Sequence, residues 1–313
     1  MFSAVVFAYS EVGRRCLQVL LEQGVQVPLV FTHEDQASEQ RWFGSVADLA
    51  AAHGVRTVTP TQPAAPEWLE EIRRIHPDYL LAFYYRSMLP PQLLQLARWG
   101  ALNMHGSLLP RYRGRAPVNW AIANGETQTG ATLHYMVARP DAGPIVAQEA
   151  VAIGPNDDAL AVSMGVAAAA AHLLGSTLPG MALGPPPARP MDLAAGSYFG
   201  GRTPEDGRIQ LEWPGMRVHA MIRAVAPPFP GAFVAVGKRR VVFVSSRLTA
   251  APARHPDAAP CLYAAEGELF MDCSDGVRLL IGSVRVDGTE LDAGDFQMRF
   301  GVEPWRFNFI ARD

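Results

Sequence analysis

Short apolar runs alternate with helical segments along the first half of this 313-residue chain, and this alternation restricts its fold more than any other feature. Between the first two runs, Val12, Cys16, Val19 and Leu20 recur at the spacing of one helix face. Strands joined by helices run parallel, because each helix carries the chain back along the sheet. The pattern therefore predicts a Rossmann-like, mostly parallel sheet. Its predicted strands are residues 4–7, 25–31, 79–83, 101–105, 129–137 and 145–152, and its predicted helices include residues 43–53, 66–75 and 116–124.

The chain changes character near residue 200. Residues 184–190 (Gly-Pro-Pro-Pro-Ala-Arg-Pro) cannot continue a helix and predict the start of an interdomain linker. A series of short strands with turn signals follows, which predicts a smaller β-barrel that we expect to be OB-like. We therefore predict two domains, a Rossmann-like catalytic domain at 1–200 and an OB-like domain at 201–313. The second domain has a predicted helix at 216–226 and predicted strands at 233–236, 241–244, 261–264, 269–273 and 277–286.

Composition restricts the class of protein. Hydrophobic residues make up 49% of the chain and charged residues 18%, which is enough apolar material for two cores and excludes a disordered chain. The 27 Lys and Arg side chains are outnumbered by 30 Asp and Glu side chains, so the chain has no global basic surface for a polyanion. We therefore expect no nucleic-acid partner.

Cysteine usage and the lack of targeting signals indicate a cytoplasmic protein. Cys16, Cys261 and Cys273 are odd in number and lack metal-ligand spacing, so we expect reduced thiols and no metal. The amino terminus lacks the basic and small-residue features of a signal peptide. The most apolar window, residues 159–174, is shorter than a bilayer requires and predicts a buried helix rather than a membrane span.

Two polar residues, Asn103 and His105, lie at the end of a predicted apolar strand. Side chains alternate along a strand, so both point to one face while Met104 points to the other. A carboxylate, Asp141, follows the later strand 129–137 in an Asp-Ala-Gly loop. In open α/β sheets, ligands bind at the carboxyl ends of strands. An amide donor, an imidazole and a carboxylate at that place are sufficient for acyl transfer without a metal.

Residues 103–110 (Asn-Met-His-Gly-Ser-Leu-Leu-Pro), with Asp141-Ala142-Gly143, resemble the formyltetrahydrofolate-dependent formyltransferase family. Within the family, the resemblance is strongest to the enzymes that formylate UDP-4-amino-4-deoxy-L-arabinose, a step of lipid A modification and polymyxin resistance. It implies transfer of a formyl group from N10-formyltetrahydrofolate, as co-substrate, to the 4-amino group of that UDP-linked sugar. The resemblance covers most of the chain, with further matching stretches at residues 5–9, 31–33, 83–86, 112–117, 139–143, 201–204, 223–225 and 229–233.

The resemblance also implies roles for individual residues. Asn103, His105 and Asp141 are the expected catalytic residues. For the nucleotide the candidates are Tyr9, Arg202 and Thr203. Arg115 meets either the folate tail or a substrate phosphate, and the sequence leaves that choice open. The folate, whose flat pterin ring has polar edges, is expected against Ser87, Met88, Leu89, Arg115, Val137, Ala138, Arg139, Pro140 and Asp141.

The chemistry of formyl transfer gives the three catalytic residue types physical roles. Negative charge develops on the formyl oxygen in a tetrahedral species, where the Asn103 amide can donate a hydrogen bond. His105 can donate a second hydrogen bond to this oxygen from its other side. It can also move a proton between the acceptor amine and the carrier nitrogen. Asp141, if it lies within hydrogen-bond reach of His105, fixes the tautomer of the ring.

Specific sequence features argue for or against functions other than formylation of this amino sugar. Methionyl-tRNA formylation is disfavoured by the near-neutral charge, and the one basic cluster, residues 237–240, is explained equally well as a hairpin tip. A different UDP- or dTDP-linked amino sugar is an open alternative acceptor. A nicotinamide-dependent oxidoreductase requires Gly-x-Gly-x-x-Gly after the first strand, where residues 8–13 offer only Gly13. A non-catalytic nucleotide-sugar sensor has little reason to hold all three catalytic residue types.

The remaining expectations concern other histidines and possible partners. The aromatic segment 296–309 is expected either to pack on the barrel or to make an oligomer contact, so a homo-oligomer is left open. A decarboxylase on a separate polypeptide is a candidate partner in the pathway. The histidines outside the motif are predicted to be structural, namely His33, His53, His76, His134, His172, His219 and His255.

Overall fold

The structure is a computed structural model that describes residues 2–35, 41–237 and 239–307. The chain divides into two compact units. Unit 1 comprises Met1–Pro117, Gln128–Ala152 and Ser163–Gly200, and unit 2 comprises Val118–Thr127, Ile153–Val162 and Gly201–Asp313. The chain leaves unit 1 for the last time between residues 200 and 201. Two earlier short segments, residues 118–127 and 153–162, also belong to unit 2.

Unit 1 is built on one seven-stranded sheet whose strand order is β3-β2-β1-β4-β5-β7-β8. Strands β1 to β5 are parallel, whereas β7 is antiparallel to β5 and β8 is antiparallel to β7. The Rossmann-like, mostly parallel sheet predicted from the sequence is therefore confirmed. The strands up to residue 200 are β1 (Ser3–Ala8), β2 (Gln26–Phe31), β3 (Thr57–Val58), β4 (Tyr79–Phe83), β5 (Gly100–His105), β6 (Arg113–Gly114), β7 (Gln128–Tyr135), β8 (Ile145–Ala152) and β9 (Tyr198–Phe199).

The helices connect these strands and cover both faces of the sheet. Val6 and Ala8 of the central strand β1 pack into one hydrophobic cluster, and Val5 and Phe7 pack into a second. Burial on both faces explains why β1 is a continuous apolar run rather than an alternating one. The helices of the whole chain are α1 (Ser10–Glu22), α2 (Val46–Ala52), α3 (Pro66–Ile75), α4 (Pro91–Leu94), α5 (Pro117–Ala123), α6 (Ala159–Met181), α7 (Gly215–Ala224) and α8 (Ala293–Phe300).

Helix α6 is long and apolar enough, by length and composition, to be considered as a membrane span. Its side chains Ala167, Ala170, Leu174 and Leu178 nevertheless lie in the core of unit 1, against residues of the sheet. The helix extends to Met181, seven residues beyond the predicted window. The burial agrees with the prediction of a core helix from residues 159–174.

Unit 2 carries two antiparallel sheets, ordered β10-β11-β16-β17 and β12-β15-β14-β13-β18. All of their strand pairs are antiparallel, which agrees with the predicted small β-barrel. The predicted single strand 277–286 is wrong, because the chain leaves one sheet and joins the other at residues 282 and 283. The strands are β10 (Ala232–Val236), β11 (Arg239–Phe243), β12 (Ser246–Pro252), β13 (Cys261–Ala265), β14 (Glu268–Asp272), β15 (Val277–Ile281), β16 (Val284–Val286), β17 (Thr289–Leu291) and β18 (Trp305–Arg306).

The aromatic segment near the carboxyl terminus packs on unit 2. Phe296 of α8 is fully buried, and the Phe300 and Trp305 rings stack with centroids 4.4 Å apart. Strand β18 pairs with β13, and the Phe307 N–H donates to the carbonyl of Pro260. Of the two alternatives left open by the sequence, packing on the barrel is therefore observed up to residue 307; residues 308 and 309 lie outside the described part of the chain.

A buried carboxylate ties the start of α1 to a neighbouring loop. Glu11 accepts hydrogen bonds from Arg14 at 2.8 Å, from Arg15 at 2.7 Å and from the Gly44 N–H at 3.4 Å. Burial on its own raises the pKa of Glu11, but the two arginines and the amide outweigh it and lower the pKa to about 2.

The depressed pKa of Glu11 predicts how stability depends on pH. A carboxyl with a lowered folded-state pKa adds stability above its unfolded pKa of 4.5, and this stability is lost as the pH falls through about 2. We expect Glu11→Gln to lower the free energy of unfolding at pH 7, and the difference from wild type to shrink between those two values. Urea titrations of wild type and Glu11→Gln across that pH range measure the difference in the free energy of unfolding. Glu22→Gln, at the exposed end of α1, is the control. A difference that stays constant with pH would contradict the assignment.

Candidate active site

Strand β5 presents Asn103 and His105 on one face. Met104 between them is buried in the hydrophobic core on the other face, as the alternation of a strand requires. His105 is buried, and Asn103 is half-buried at the adjoining position. The two polar side chains therefore sit side by side at the end of a central strand.

Asp141 reaches this pair from the loop between β7 and β8. Because β7 runs antiparallel to β5 and ends beside Leu102, the loop turns back over the face that carries Asn103 and His105. The Asp141 Oδ1 atom lies 3.4 Å from Asn103 Nδ2 and 3.5 Å from His105 Nδ1, and Oδ2 accepts from the Gly114 N–H at 2.9 Å. Two of the three side chains that the sequence predicts as catalytic, Asn103 and His105, thus converge on the third, Asp141.

A fourth side chain, His134, belongs to this cluster. It lies directly opposite Asn103 in the β5–β7 register, and its Nε2 atom is 3.2 Å from Asn103 Nδ2 and 3.6 Å from Asp141 Oδ1. The sequence predicted only a structural role for His134, whereas the structure places the ring in the same cluster as Asn103 and Asp141. The sequence does contain one relevant signal, since His134 lies on the predicted strand that leads to Asp141. The antiparallel pairing of that strand with β5, which brings His134 next to Asn103, is not visible in the sequence.

Backbone carbonyls define how the two imidazoles are protonated. His134 Nδ1 lies 2.9 Å from the Tyr135 carbonyl, so Nδ1 donates and the Nε2 lone pair accepts from the Asn103 amide. His105 Nε2 lies 2.8 Å from the Tyr112 carbonyl, while its Nδ1 faces the Asp141 carboxylate. Both of these partners are hydrogen-bond acceptors, so each nitrogen of the His105 ring faces an acceptor.

The Asn103 amide has defined partners in this arrangement. Its NH₂ group is directed at His134 Nε2 and at Asp141 Oδ1, the second contact being the longer one at 3.4 Å. The sequence predicts that this NH₂ group faces the developing oxyanion. To take that role, the Asn103 amide has to exchange one of its two present contacts for the formyl oxygen. The contact to Asp141 is the longer and weaker of the two, so it is the one that is exchanged.

The electrostatics of Asp141 follow from its neighbours. Burial alone raises the pKa of this carboxyl, but its neighbours, led by the His105 ring and including the Gly114 amide, outweigh burial and hold the pKa well below its ordinary value. The carboxylate is therefore ionised at neutral pH. Its backbone has a φ of 48°, in the left-handed region, which costs conformational energy and is common at functional sites.

Tyr84 and Gly106 shape the wall next to His105. A Cβ atom at position 106 would overlap the Tyr84 hydroxyl, so the glycine that follows His105 lets the phenol approach the end of β5. Burial raises the pKa of the Tyr84 phenol, which keeps it neutral. Tyr84 also has a φ of 57°, so the loop after β4 is held in a sparsely populated conformation beside the cluster.

The residues predicted to hold folate lie on three segments. Arg115 is exposed and follows Gly114, whose N–H holds Asp141, so Arg115 adjoins the loop that carries residues 137–141. Leu89 is buried, whereas Met88 is 62% exposed and Val137 is 41% exposed. Exposed apolar side chains of this size are suited to cover a flat ring. Of the other predicted folate residues, Ala138 and Arg139 are exposed, and Ser87 and Pro140 are half-buried.

The three residues predicted for the nucleotide belong to different units: Tyr9 to unit 1, and Arg202 and Thr203 to unit 2. The Tyr9 hydroxyl, in unit 1, donates to Asp35 at 3.0 Å. In unit 2, the Arg202 guanidinium lies over the Trp120 ring at 4.2 Å and donates to the Asp206 carbonyl. Thr203 caps the 3₁₀ helix Pro204–Gly207 through hydrogen bonds with Asp206. These contacts give Arg202 and Thr203 structural roles, and their binding of substrate stays a prediction.

The remaining polar groups of interest are structural. His219 is buried between Ser246 Oγ and the Pro155 carbonyl, and burial lowers its pKa. All three cysteines are buried and free. Within residues 2–35, 41–237 and 239–307, no group of three or more His, Cys, Asp or Glu side chains is arranged to hold a metal ion.

Comparison with protein families gives two matches that cover most of the chain. A family model described as formyl transferase matches residues 5–178, which is more than half of the sequence. A model described as the formyl transferase C-terminal domain matches residues 202–301. The first match includes Asn103, His105, His134 and Asp141.

Solved structures share this fold at low sequence identity. The N-formyltransferase from Helicobacter canadensis, in complex with folinic acid and dTDP-3-aminofucose, matches with a TM-score of 0.71 at 18% identity over 90% of this chain and 99% of that one. WlaRD, a sugar 3N-formyl transferase in the presence of dTDP and 5-N-formyl-THF, matches with a TM-score of 0.70 at 16% identity over 90% and 97%. HypX from Aquifex aeolicus in complex with tetrahydrofolic acid matches with a TM-score of 0.66 at 17% identity over 96% of this chain and 48% of that one.

Proposed function

Because the chain belongs to the formyl transferase family, we propose that it transfers a formyl group from N10-formyltetrahydrofolate to the amino group of a nucleotide-linked sugar. The observation that carries this proposal is the convergence of Asn103 and His105 on the Asp141 carboxylate, within 3.5 Å. Complexes of similarly folded enzymes with folates and with dTDP or dTDP-3-aminofucose support the same substrate classes. We also propose a cytoplasmic location for this reaction.

The donor site fits a folate by the chemistry of its lining. Met88 and Val137 offer exposed apolar surface, and Arg115 offers a guanidinium for the acidic tail. When bound, the carrier supplies the formyl group, which is bonded to N10. The residues of this chain then orient the formyl carbon, stabilise the negative charge on its oxygen and transfer protons.

In the proposed reaction, a C–N bond forms between the sugar amine and the formyl carbon, and the C–N10 bond breaks. One proton leaves the amine, and one proton is gained by N10. Asn103 donates to the formyl oxygen as negative charge develops there. His105 relays the proton in this scheme by exchanging its contact with the Tyr112 carbonyl for the substrate, and Asp141 stabilises the positive charge on the ring.

His134 acts in this scheme as a positioning residue. Its Nε2 lone pair holds one hydrogen of the Asn103 amide and thereby sets which side of the amide faces the formyl oxygen. We expect His134→Leu, which has no acceptor, to lower kcat by roughly tenfold to a hundredfold, the range for leaving a buried polar group without its partner.

The matched variant His134→Gln separates positioning from packing. The glutamine carbonyl can accept from Asn103, so we expect it to restore part of kcat while KM for either substrate stays unchanged in both variants. Steady-state kinetics with thermal melting curves measure both. Equal activity of the two variants, or a change in KM alone, would remove His134 from the mechanism.

For the acceptor we propose the 4-amino group of UDP-4-amino-4-deoxy-L-arabinose, on the sequence resemblance described above, and hence a role in lipid A modification. A dTDP-linked amino sugar is the second candidate, because the similarly folded enzymes were solved with dTDP or dTDP-3-aminofucose. Protein partners, whether a second copy of the chain or a separate decarboxylase, stay predictions.

A panel of acceptors tests this proposal. The purified protein is given N10-formyltetrahydrofolate with the UDP-linked 4-amino sugar, dTDP-linked 3- and 4-amino hexoses, or methionyl-tRNA, and N-formyl product is measured by mass spectrometry. We expect the highest kcat/KM with the UDP-linked sugar. A higher value with a dTDP-linked sugar would replace the acceptor, and methionyl-tRNA as the best acceptor would overturn the proposal.

A further inference from the structure

The Tyr112 carbonyl beside His105 faces two hydrogen-bond donors. His105 Nε2 lies 2.8 Å from this oxygen, and the Ser107 hydroxyl lies 3.4 Å from it. Ser107 is fully buried, and its hydroxyl donates to the Arg111 carbonyl at 2.6 Å. A serine hydroxyl carries one proton, so it makes a short hydrogen bond with one of these two neighbouring carbonyls at a time. Ser107 therefore has a second acceptor, the Tyr112 carbonyl, close to the one it now uses.

The backbone around Ser107 is held in place by buried hydrogen bonds. The Ser107 carbonyl accepts from Thr132 Oγ1 at 2.6 Å, and Thr132 Oγ1 accepts in turn from the Leu109 N–H at 3.2 Å. Gln148 Nε2 donates to the Leu109 carbonyl at 2.8 Å. Thr132 is itself fully buried in β7. A change of acceptor at Ser107 therefore requires a small rotation of its side chain and no movement of the loop.

Tyr112 is also held firmly. Its N–H donates to Ser197 Oγ at 2.8 Å, and its ring stacks on Phe199 with centroids 5.2 Å apart. Its backbone has a φ of 58°, in the left-handed region that few residues other than glycine adopt. The Tyr112 carbonyl therefore stays in place when the imidazole beside it turns away.

In the proposed reaction, the His105 ring has to leave the Tyr112 carbonyl. Its Nδ1 atom lies 3.5 Å from Asp141, and its Nε2 atom lies 2.8 Å from the Tyr112 oxygen. The carboxylate stabilises the positive charge on the ring, so Nε2 is the nitrogen that turns to the substrate. Loss of a donor at a buried carbonyl raises the free energy of that state, and with it the barrier to reaction. A second donor at the same oxygen lowers this barrier.

We infer that the Ser107 hydroxyl replaces His105 as donor to the Tyr112 carbonyl while the imidazole is engaged with the substrate, which makes Ser107 a positioning residue for formyl transfer. This inference rests on the proposed function and adds the residue that releases the ring. The carbonyl that the hydroxyl gives up belongs to the exposed Arg111, where water takes its place. The Ser107 proton stays on its own oxygen throughout, so Ser107 exchanges hydrogen bonds and transfers no proton.

A double-mutant cycle with His105 tests the inference. The formyl-transfer rate, KM for both substrates and the melting temperature are measured in wild type, Ser107→Ala, His105→Gln and the double variant. We expect Ser107→Ala to lower kcat by about tenfold to a hundredfold with KM unchanged, the effect of a buried group that loses its partner. In the His105→Gln background it should cause no further loss, because no imidazole remains to be released. An equal loss in both backgrounds would show that Ser107 acts independently of His105 and would overturn the inference.

Ser197→Ala is the matched control, because it removes a serine hydroxyl that holds the same residue, Tyr112, by its N–H instead of its carbonyl. We expect it to lower the melting temperature as Ser107→Ala does but to leave kcat close to that of wild type. Equal losses of kcat in the two variants would mean that both serines only support the loop. Ser107→Cys, whose thiol fills the space but donates weakly, gives the same comparison should the alanine variant fail to fold.

A crystal structure of His105→Phe separates this inference from the proposed function, because it requires no substrate. The phenyl ring fills the place of the imidazole without a donor, so the Ser107 hydroxyl should lie within about 3 Å of the Tyr112 carbonyl. A hydroxyl that stays on the Arg111 carbonyl would overturn the inference, whatever the protein formylates. If the hydroxyl turns to Tyr112 but wild type formylates no amino sugar, the exchange of donors stands and the proposed function fails.

Discussion

Asp141→Asn is expected to lower kcat for formyl transfer by about 10²–10⁴, the range for losing one positioned acid–base group, without changing nucleotide affinity. The substitution keeps the size of the side chain and an acceptor for the Gly114 N–H. Asparagine also tolerates the left-handed backbone at φ 48°, so the fold should persist. What is lost is the negative charge beside His105 and His134, which is the only feature of Asp141 that the scheme requires.

The measurement is single-turnover formyl transfer in wild type and Asp141→Asn, with melting temperature and UDP binding as checks on the fold. Asp257→Asn provides the matched control, because the same substitution at an exposed site of unit 2 should leave all three values unchanged. Because neighbouring groups hold the pKa of Asp141 well below its ordinary value, wild-type activity should show no loss from this carboxyl between pH 5 and 8. A rate for Asp141→Asn close to that of wild type would remove the carboxylate from the mechanism.

Substitution of His105 is expected to have an effect of the same order. His105→Ala removes the ring that faces both the Tyr112 carbonyl and Asp141, so kcat should fall by about 10²–10⁴. It also leaves a buried carbonyl without its donor and creates a cavity, which together cost on the order of 2–4 kcal/mol of stability. Loss of activity in this variant alone is therefore ambiguous.

His105→Gln resolves the ambiguity. Its amide can donate to the Tyr112 carbonyl and maintain the fold, but an amide does not take up or release a proton near neutral pH. We expect a melting temperature near that of wild type together with a loss of kcat as large as in His105→Ala. Retention of most of the wild-type kcat in His105→Gln would show that the imidazole serves only to fill space.

The strongly apolar parts of the fold were predictable from sequence. Strands β4 and β8 and helix α3 have the predicted bounds, because a buried strand is a continuous apolar run and Pro66 marks the start of the helix. Strands of two or three residues, such as β3 and β17, were missed because they are too short to show a period. The break between β15 and β16 was missed because apolar residues continue on both sides of it.

The candidate site was predictable only where its residues are close in sequence or linked by the family motif. Asn103 and His105 share a face because they are two residues apart on one strand, and Asp141 was joined to them by resemblance. His134 was missed because its place depends on the antiparallel pairing of β7 with β5, which the sequence does not show.

Transfer of a labelled formyl group tests the central claim most directly. N10-formyltetrahydrofolate carrying ¹³C in the formyl group is mixed with wild-type protein and UDP-4-amino-4-deoxy-L-arabinose, and all labelled products are identified by mass spectrometry. The label should appear on the sugar nitrogen in equal amount to the tetrahydrofolate released, and release should depend on the amino sugar. Label recovered as free formate at a rate independent of the amine would contradict the claim that this site transfers the formyl group.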